Sequence, residues 1–189
     1  AGFVVEGAAV PGADGANGPP WFWGVGDRGL LDAGVDGAVC VVGSRRTDAA
    51  GTRMAREITL ALGRDGWRVI SGGAIGIDAA AHEAALEAGA RTIAVLPSGL
   101  DVPYPHRNRR LFDRIVGSGG LLLSPFPPGH HPKRWHFARR NVVMAAMSEA
   151  TVVVRASSGS GSLLTARAAQ SLGRRVLAVP GDAWRRDLR

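Results

Sequence analysis

From residue 38 onward, short β-branched runs alternate with longer stretches in which alanine and leucine recur at helical spacing. That rhythm is the signature of repeated βα units wound around a parallel sheet. Strands are predicted at 38–42, 67–71, 92–96, 121–124, 151–154 and 176–179, and helices at 49–64, 77–88, 108–116, 140–147 and 163–172. A glycine or polar turn closely follows each helix. The predicted fold class is α/β, a Rossmann-like open, mainly parallel sheet with helices on both faces. In such a sheet ligands bind beyond the carboxyl ends of the strands, so the loops that lead into helix N-termini carry the candidate chemistry.

Residues 1–37 show no sustained period and are rich in glycine, alanine and proline, with Pro-Gly, Asn-Gly and Pro-Pro breakers. They read as a flexible or partly docked lead-in to a single Rossmann-like domain spanning 38–189. Within the lead-in, Trp21-Phe22-Trp23 is expected to pin the segment onto the domain, with base stacking as the alternative.

Composition narrows the partner. The 189 residues are 46% hydrophobic, enough for one good core, and 23 Lys and Arg against 16 Asp and Glu give a formal charge of +7. That excess favours an anionic partner, although arginine-rich composition alone produces basic proteins, so the motifs must decide. Cys40 is the single cysteine, which rules out an intrachain disulfide and a cysteine-based metal site within this sequence. It lies in the apolar run Ala38-Val39-Cys40-Val41-Val42 and is expected as a small buried strand residue. No segment reaches the roughly 18 to 20 apolar residues of a membrane span, and a soluble, cytoplasmic protein is expected.

Four loops concentrate donors. The first strand runs into Val42-Gly43-Ser44-Arg45-Arg46-Thr47, where a glycine, a hydroxyl and two guanidinium groups meet a helix start. Such a turn can receive a phosphate, although Thr47 or Asp48 could equally cap the helix while both arginines stay solvated. The second strand runs into Ser71-Gly72-Gly73-Ala74-Ile75-Gly76-Ile77-Asp78, a second candidate phosphate cradle through Ser71, Gly72, Gly73 and Gly76. Asp78 is expected to accept bonds from free helix N–H groups, and His82 to be a packed histidine and not a base.

Before the predicted fourth helix, residues 129–141 gather His130, His131, Lys133, Arg134, Trp135, His136, Phe137, Arg139, Arg140 and Asn141. Cations neutralise phosphates while aromatic faces stack on unpaired bases, a combination suited to single strands. Zinc at His130, His131 and His136 is disfavoured by the adjoining lysine and arginine. The fifth strand runs into Ser157-Ser158-Gly159-Ser160-Gly161-Ser162-Leu163-Leu164-Thr165, where Ser160, Gly161, Ser162 and Thr165 again open a helix. A Gly/Ser linker would not sit between a β-branched strand and an apolar helix. No Gly-Lys-Ser/Thr loop and no serine-hydrolase elbow occurs, so neither ATP hydrolysis nor triad chemistry is supported.

Taken in order, Val42-Gly43-Ser44-Arg45, Ser71-Gly72-Gly73-Ala74-Ile75-Gly76-Ile77-Asp78 with Ala81-His82, Gly99-Leu100-Asp101 with Tyr104-Pro105, and Ser160-Gly161-Ser162-Leu163-Leu164-Thr165-Ala166 with Val179-Pro180-Gly181 resemble the DprA/Smf family of DNA-processing proteins. The resemblance covers about residues 19–182. It implies an extended Rossmann fold, a homodimer, binding of single-stranded DNA and delivery of the recombinase RecA onto that DNA in natural transformation, with no catalysed reaction and no cofactor. By position it implies DNA contacts from Arg45, Lys133, Phe137, Arg139, Arg140 and Asn141, with the glycine turns holding backbone phosphates.

The sequence departs from that pattern in three places. Val142 stands where the family usually has a second arginine, and Arg155 and Pro125 stand at positions usually acidic. It also ends soon after Val179-Pro180-Gly181-Asp182, before the family's last Rossmann segment. The rival readings are a free-nucleotide sensor and a LOG-type nucleoside monophosphate phosphoribohydrolase. The phosphoribohydrolase signature calls for a glutamate on the helix turn after the glycine loop, and Ser162-Leu163-Leu164-Thr165-Ala166 carries none.

Overall fold

Residues 2–6 and 21–180 are described by the computed structural model, with the side chains of residues 5 and 6 excepted. In chain order the elements are β1 (Gly2–Glu6), β2 (Trp21–Gly26), a short α1 (Gly29–Asp32), β3 (Ala38–Gly43), α2 (Ala49–Arg64), β4 (Arg68–Ser71), α3 (Ile77–Glu87) and β5 (Thr92–Val95). A 3-10 turn at His106–Asn108 then leads into α4 (Arg109–Gly117), followed by β6 (Leu121–Ser124), α5 (Arg134–Ala146), β7 (Ala150–Arg155), α6 (Gly161–Ser171) and β8 (Arg175–Ala178). One eight-stranded sheet runs β1-β2-β6-β5-β4-β3-β7-β8. From β6 to β8 every pairing is parallel, whereas β1 and β2 add antiparallel to the β6 side. The α/β class, with its mainly parallel sheet, is as the sequence predicts.

Alternation along β3 shows how the two faces are built. Ala38, Cys40 and Val42 pack with Val143, Met144 and Ala146 of α5 and with Ala166 of α6, while Val39 and Val41 pack with Ala55 of α2 and with Ile77, Ala81 and Ala85 of α3. Successive strand residues point to opposite faces, so a continuous apolar run is what a strand covered on both sides requires. Leu111, Phe112 and Ile115 close the same face as α2 and α3 farther along, against Ala94, Leu96 and Leu122. Burial pushes the Cys40 thiol up to about 12, so it is an inert core residue.

The N-terminal segment corrects one expectation. Residues 1–37 read as a flexible or partly docked lead-in to a domain starting at 38, yet the described part supplies β1, β2 and α1 to the domain itself, and Phe22 and Leu30 are buried in its core, as docking of the Trp21-Phe22-Trp23 cluster requires. The Trp21-Phe22-Trp23 cluster forms β2, with Trp23 opposite Ser124 of β6. Its weak periodicity reflects an outer strand with only partial cover, whose burial alternates between buried and intermediate.

The fifth helix also differs. It was expected at 140–147 but begins at Arg134, immediately after Lys133 in an extended N-cap conformation. Its first two turns are charged and aromatic, which hid them from a search for apolar periodicity. Among the described residues no helix is long and apolar enough to cross a membrane.

Candidate nucleic-acid interface

β3 is the first strand of the parallel set. Its neighbours are β4 on one side and β7 on the other, so the chain reverses its direction of winding between β3 and β7. Loops leaving the two strands at such a switch point diverge and open a crevice. Here the β3–β7 register slips between Val42 and Gly43, and Ser44 N–H donates to the Arg155 carbonyl at 2.7 Å just beyond the slip. Above it lies a cleft of about 460 Å³ between the loop after β3 and the loop after β7, floored by α5.

The first loop is shaped by its own serine. Ser44 Oγ donates to the Arg46 carbonyl at 2.7 Å and accepts from Arg46 N–H at 3.1 Å, which folds the turn and leaves the Arg45 and Arg46 side chains exposed. Asp48 caps α2, accepting from Gly51 N–H at 2.8 Å, and also meets Arg155 at 3.1 Å. Arg155, one of the departures from the family pattern, is therefore held at the cleft wall by the helix cap.

The second loop differs from its expected role. Ser71 is fully buried, and its hydroxyl donates to the Val41 carbonyl at 2.7 Å, bridging strands instead of facing a ligand. A Cβ at Gly72 would overlap the Arg140 guanidinium. At Gly73, with φ +63°, it would lie 2.7 Å from the Phe112 ring, and at Gly76, with φ +84°, it would collide with the Ser44 carbonyl. Close packing thus explains the glycines of this loop. Gly76 lets the second loop sit against the first, and Ile77 N–H donates to the Ser44 carbonyl at 3.2 Å. Only Ala74 and Asp78 of this loop reach the cleft.

Arg140 and Asp78 form the floor. Both are buried, with Arg140 Nη1 3.9 Å from Asp78 Oδ2 and 3.3 Å from the Val95 carbonyl to which it donates. Asp78 also accepts from Ala74 N–H at 3.3 Å, as expected of a helix-start acceptor. Burial pushes the Asp78 carboxyl up, and the guanidinium opposes that shift. Arg140, which the resemblance places among the DNA contacts, is only 4% exposed and presents a fixed charge from below the cleft.

Phe137, Arg140, Asn141 and Met144 fall at i, i+3, i+4 and i+7 of α5 and share one face. Asn141 Nδ2 donates to the Gly161 carbonyl at 3.1 Å and ties α5 to the start of α6. There Ser160 caps the helix, its Oγ 2.7 Å from Ser162 Oγ. Ser160, Gly161, Ser162 and Thr165 all line the cleft, as do Gly43, Ser44, Arg45, Arg140 and Asn141. Two polar atoms in that lining, Arg140 Nε and Thr165 Oγ1, are buried with no hydrogen-bond partner. Buried polar atoms are seldom left so.

Arg45 connects this cleft to a smaller cavity of about 70 Å³, since it lines both. Its guanidinium lies 4.7 Å from the Phe137 ring centroid, and Tyr104 meets Phe137 edge-on at 5.9 Å. Tyr104, 40% exposed, is a site feature that sequence reasoning did not select. The available signal was a lone aromatic in the turn-rich loop after β5. Lys133, just before α5, and Arg139 on it are exposed but line neither cavity. Trp135, the other aromatic of that segment, packs instead on Phe126 and His136, and His136 donates through Nδ1 to the Pro97 carbonyl at 3.0 Å. His82, fully buried on α3, is held neutral by burial, with its pKa lowered to about 3, and Thr92 Oγ1 lies 2.8 Å from its Nδ1. It is a packed histidine, as expected.

A family model described as DNA recombination-mediator protein A matches residues 13–188. Protein Smf of Synechocystis is 44% identical over 144 residues, which are 76% of this chain but 36% of that protein. The chain spans between about a third and just over half the length of the curated relatives it matches. The X-ray structure of DNA processing protein A from Streptococcus pneumoniae superposes with a TM-score of 0.80 at 38% identity, over 88% of this chain and 57% of that one. DNA processing protein A from Helicobacter pylori, whose structure is described as giving insight into a single-stranded DNA binding mode, superposes with a TM-score of 0.85 at 30% identity, over 98% and 84%. Similarity to a molybdenum cofactor binding protein of Rippkaea orientalis, at 17% identity and a TM-score of 0.58, concerns the fold alone.

Proposed function

The chain belongs to the DNA recombination-mediator protein A family, and from that premise we propose that it binds single-stranded DNA in the switch-point cleft without catalysing a reaction. The observation that carries this reading is Arg45, which lines the polar cleft and also covers the Phe137 ring of the adjoining aromatic cavity. A planar cation at that junction can meet a backbone phosphate on one side while a base reaches the aromatic pair Phe137 and Tyr104 on the other. Duplex DNA hides its base faces, so this arrangement favours unpaired strands.

The cleft lining contains four arginines, Arg45, Arg46, Arg140 and Arg155, against two aspartates that are each ion-paired. No histidine lines it, so no imidazole is at hand to move a proton. The phosphoribohydrolase reading is disfavoured by the same geometry, because the first turn of α6 offers hydroxyls and no carboxylate. The family's description as a recombination mediator supports the further reading that the held strand is passed to RecA, and we propose that a cytoplasmic homodimer does so.

Fluorescence anisotropy of a labelled single strand, at low and physiological salt with duplex DNA and a nucleoside monophosphate as competitors, tests the reading. Binding should prefer the single strand, weaken with salt and resist the mononucleotide. Displacement by the mononucleotide at modest concentration would move the site to a nucleotide sensor or phosphoribohydrolase. Acceleration of RecA assembly on the same strand is the readout for the second step.

A further inference from the structure

Among the described residues six arginines are paired with carboxylates. Four of them lie on helix flanks or at the amino end of a strand: Arg53 with Glu57, Arg56 with Glu87, Arg114 with Glu83 and Arg175 with Glu149. At the carboxyl edge of the sheet only Arg155 and the buried Arg140 are paired in this way. Arg107, Arg109 and Arg110, in the 3-10 turn and first turn of α4, are exposed and within ion-pair distance of no carboxylate among the described residues. Asp113 lies one turn farther along α4 but makes no ion pair with them.

Their placement works against the helix. The first turn of α4 holds two arginines and no acidic residue, and cations at a helix N-terminus oppose the partial positive charge there. Leu111, Phe112 and Ile115 face the core, and Arg109 and Arg110, just before them, are exposed. The segment is also fixed to the proposed binding site. Asn108 Nδ2 donates to the Gly73 carbonyl at 2.9 Å, the Phe112 ring packs over Gly73, and Tyr104 and Pro105, a few residues before, line the aromatic cavity.

We propose that Arg107, Arg109 and Arg110 form a second phosphate-binding track for the same single strand, which leaves the cleft past Phe137 and Tyr104 and runs onto the start of α4. This rests on the single-strand reading above and extends its footprint. The aromatic cavity of about 70 Å³ shares Arg45 with the cleft, and Tyr104 and Pro105 of its wall directly precede the track along the chain, which places all three within the path of one extended strand. A short strand would fill the cleft and aromatic pair alone. A longer one would gain the additional phosphate contacts.

The test uses the full chain and the variant R107Q/R109Q/R110Q, with labelled oligothymidylates of about 5 and about 20 nucleotides. For the wild type, the longer strand should bind more tightly. In the triple glutamine variant its affinity should fall by about tenfold or more, and the slope of log K against log salt should become shallower by about 2, close to 0.7 for each lost phosphate contact. Binding of the short strand should be unchanged, which also shows that the variant is folded. The charge-conserving R107K/R109K/R110K variant should keep most of the gain with length. Equal binding of the long strand by wild type and glutamine variant, or equal losses for both lengths, would overturn the track while leaving the cleft reading intact. Failure of the wild type to bind either strand would overturn the single-strand reading itself.

Discussion

Arg140 fills the space that a side chain at Gly72 would occupy: a Cβ there would overlap the guanidinium and lie 2.8 Å from Asp78 Oδ2. Gly72 is therefore the residue that admits a buried cation beneath the loop. Arg140 and Asp78 are then enclosed together, with a hydrogen bond from Arg140 to the Val95 carbonyl and one from Ala74 N–H to Asp78.

Gly72→Ala should accordingly act through Arg140. Displacing one partner of a buried pair leaves the other uncompensated, so a loss of about 3 kcal/mol or more is expected in urea unfolding. The losses for Gly72→Ala and Arg140→Ala should be less than additive in the double variant, because the added methyl then has no guanidinium to displace. Full additivity would mean that the cost of the added methyl does not arise from Arg140.

Arg45→Ala should weaken single-strand binding and make its salt dependence shallower by about 0.7 in slope, the share of one phosphate on a single strand. Stability should change by no more than about 0.5 kcal/mol, since the side chain is exposed. Arg45→Lys should restore the slope but not the full affinity, because an ammonium does not reproduce a guanidinium placed over the Phe137 ring. Anisotropy titrations over a salt series separate these outcomes.

Phe137→Leu should show the opposite signature. Loss of a stacked base is worth about 1 to 3 kcal/mol of binding, with no charge removed, so affinity should fall while the salt slope stays as in the wild type. A changed slope would indicate that the substitution had moved Arg45.

Thr165→Val removes a buried hydroxyl with little change of shape, and among the described residues no group pairs with that hydroxyl. Stability should be unchanged or slightly raised, while binding should weaken by about 1 kcal/mol if the hydroxyl bonds the ligand. Thermal unfolding and anisotropy on the same preparation decide the point.

His82 gives a pH dependence of defined sign. Burial lowers its pKa from 6.5 to about 3 in the folded protein, so below about pH 6.5 the unfolded chain takes up a proton that the folded one refuses. The contribution is fully present above pH 6.5 and is lost as the pH falls toward 3. From this group alone the loss approaches about 1.4 kcal/mol per pH unit. Urea midpoints for the wild type should drop between pH 7 and pH 5, and those of His82→Asn should drop less.

Much of the fold was legible because its strands are covered on both sides. The run from Ala38 to Val42 could be read as a strand, and its neighbours followed from the same rhythm, since a buried parallel strand has no polar face to blur the pattern. The start of α5 was not legible. Arg134 to Arg139 carry charge and aromatic rings where a core-facing helix usually shows aliphatic residues, and the helix was therefore read six residues short. The first strands were missed for a related reason, as β2 lies toward the edge of the sheet with partial cover and a glycine within it.

The sequence by itself determined the α/β class, the positions of the loops at the carboxyl ends of the strands, and the concentration of glycines, hydroxyls and arginines in them. These are local properties, set by side-chain period and by the backbone that glycine permits. Only the tertiary structure decided which of those residues reach the cleft. Ser71 bonds a neighbouring strand, Gly73 yields its space to Phe112 and Gly76 to the Ser44 carbonyl, whereas Gly72, beside Arg140, lines the smaller cavity and Thr165 and Tyr104 come to the cavities from loops and helices far away in sequence. A glycine that approaches a phosphate and one that approaches another part of the chain look alike in sequence, because what distinguishes them is the neighbour, and the neighbour is fixed only when distant segments pack.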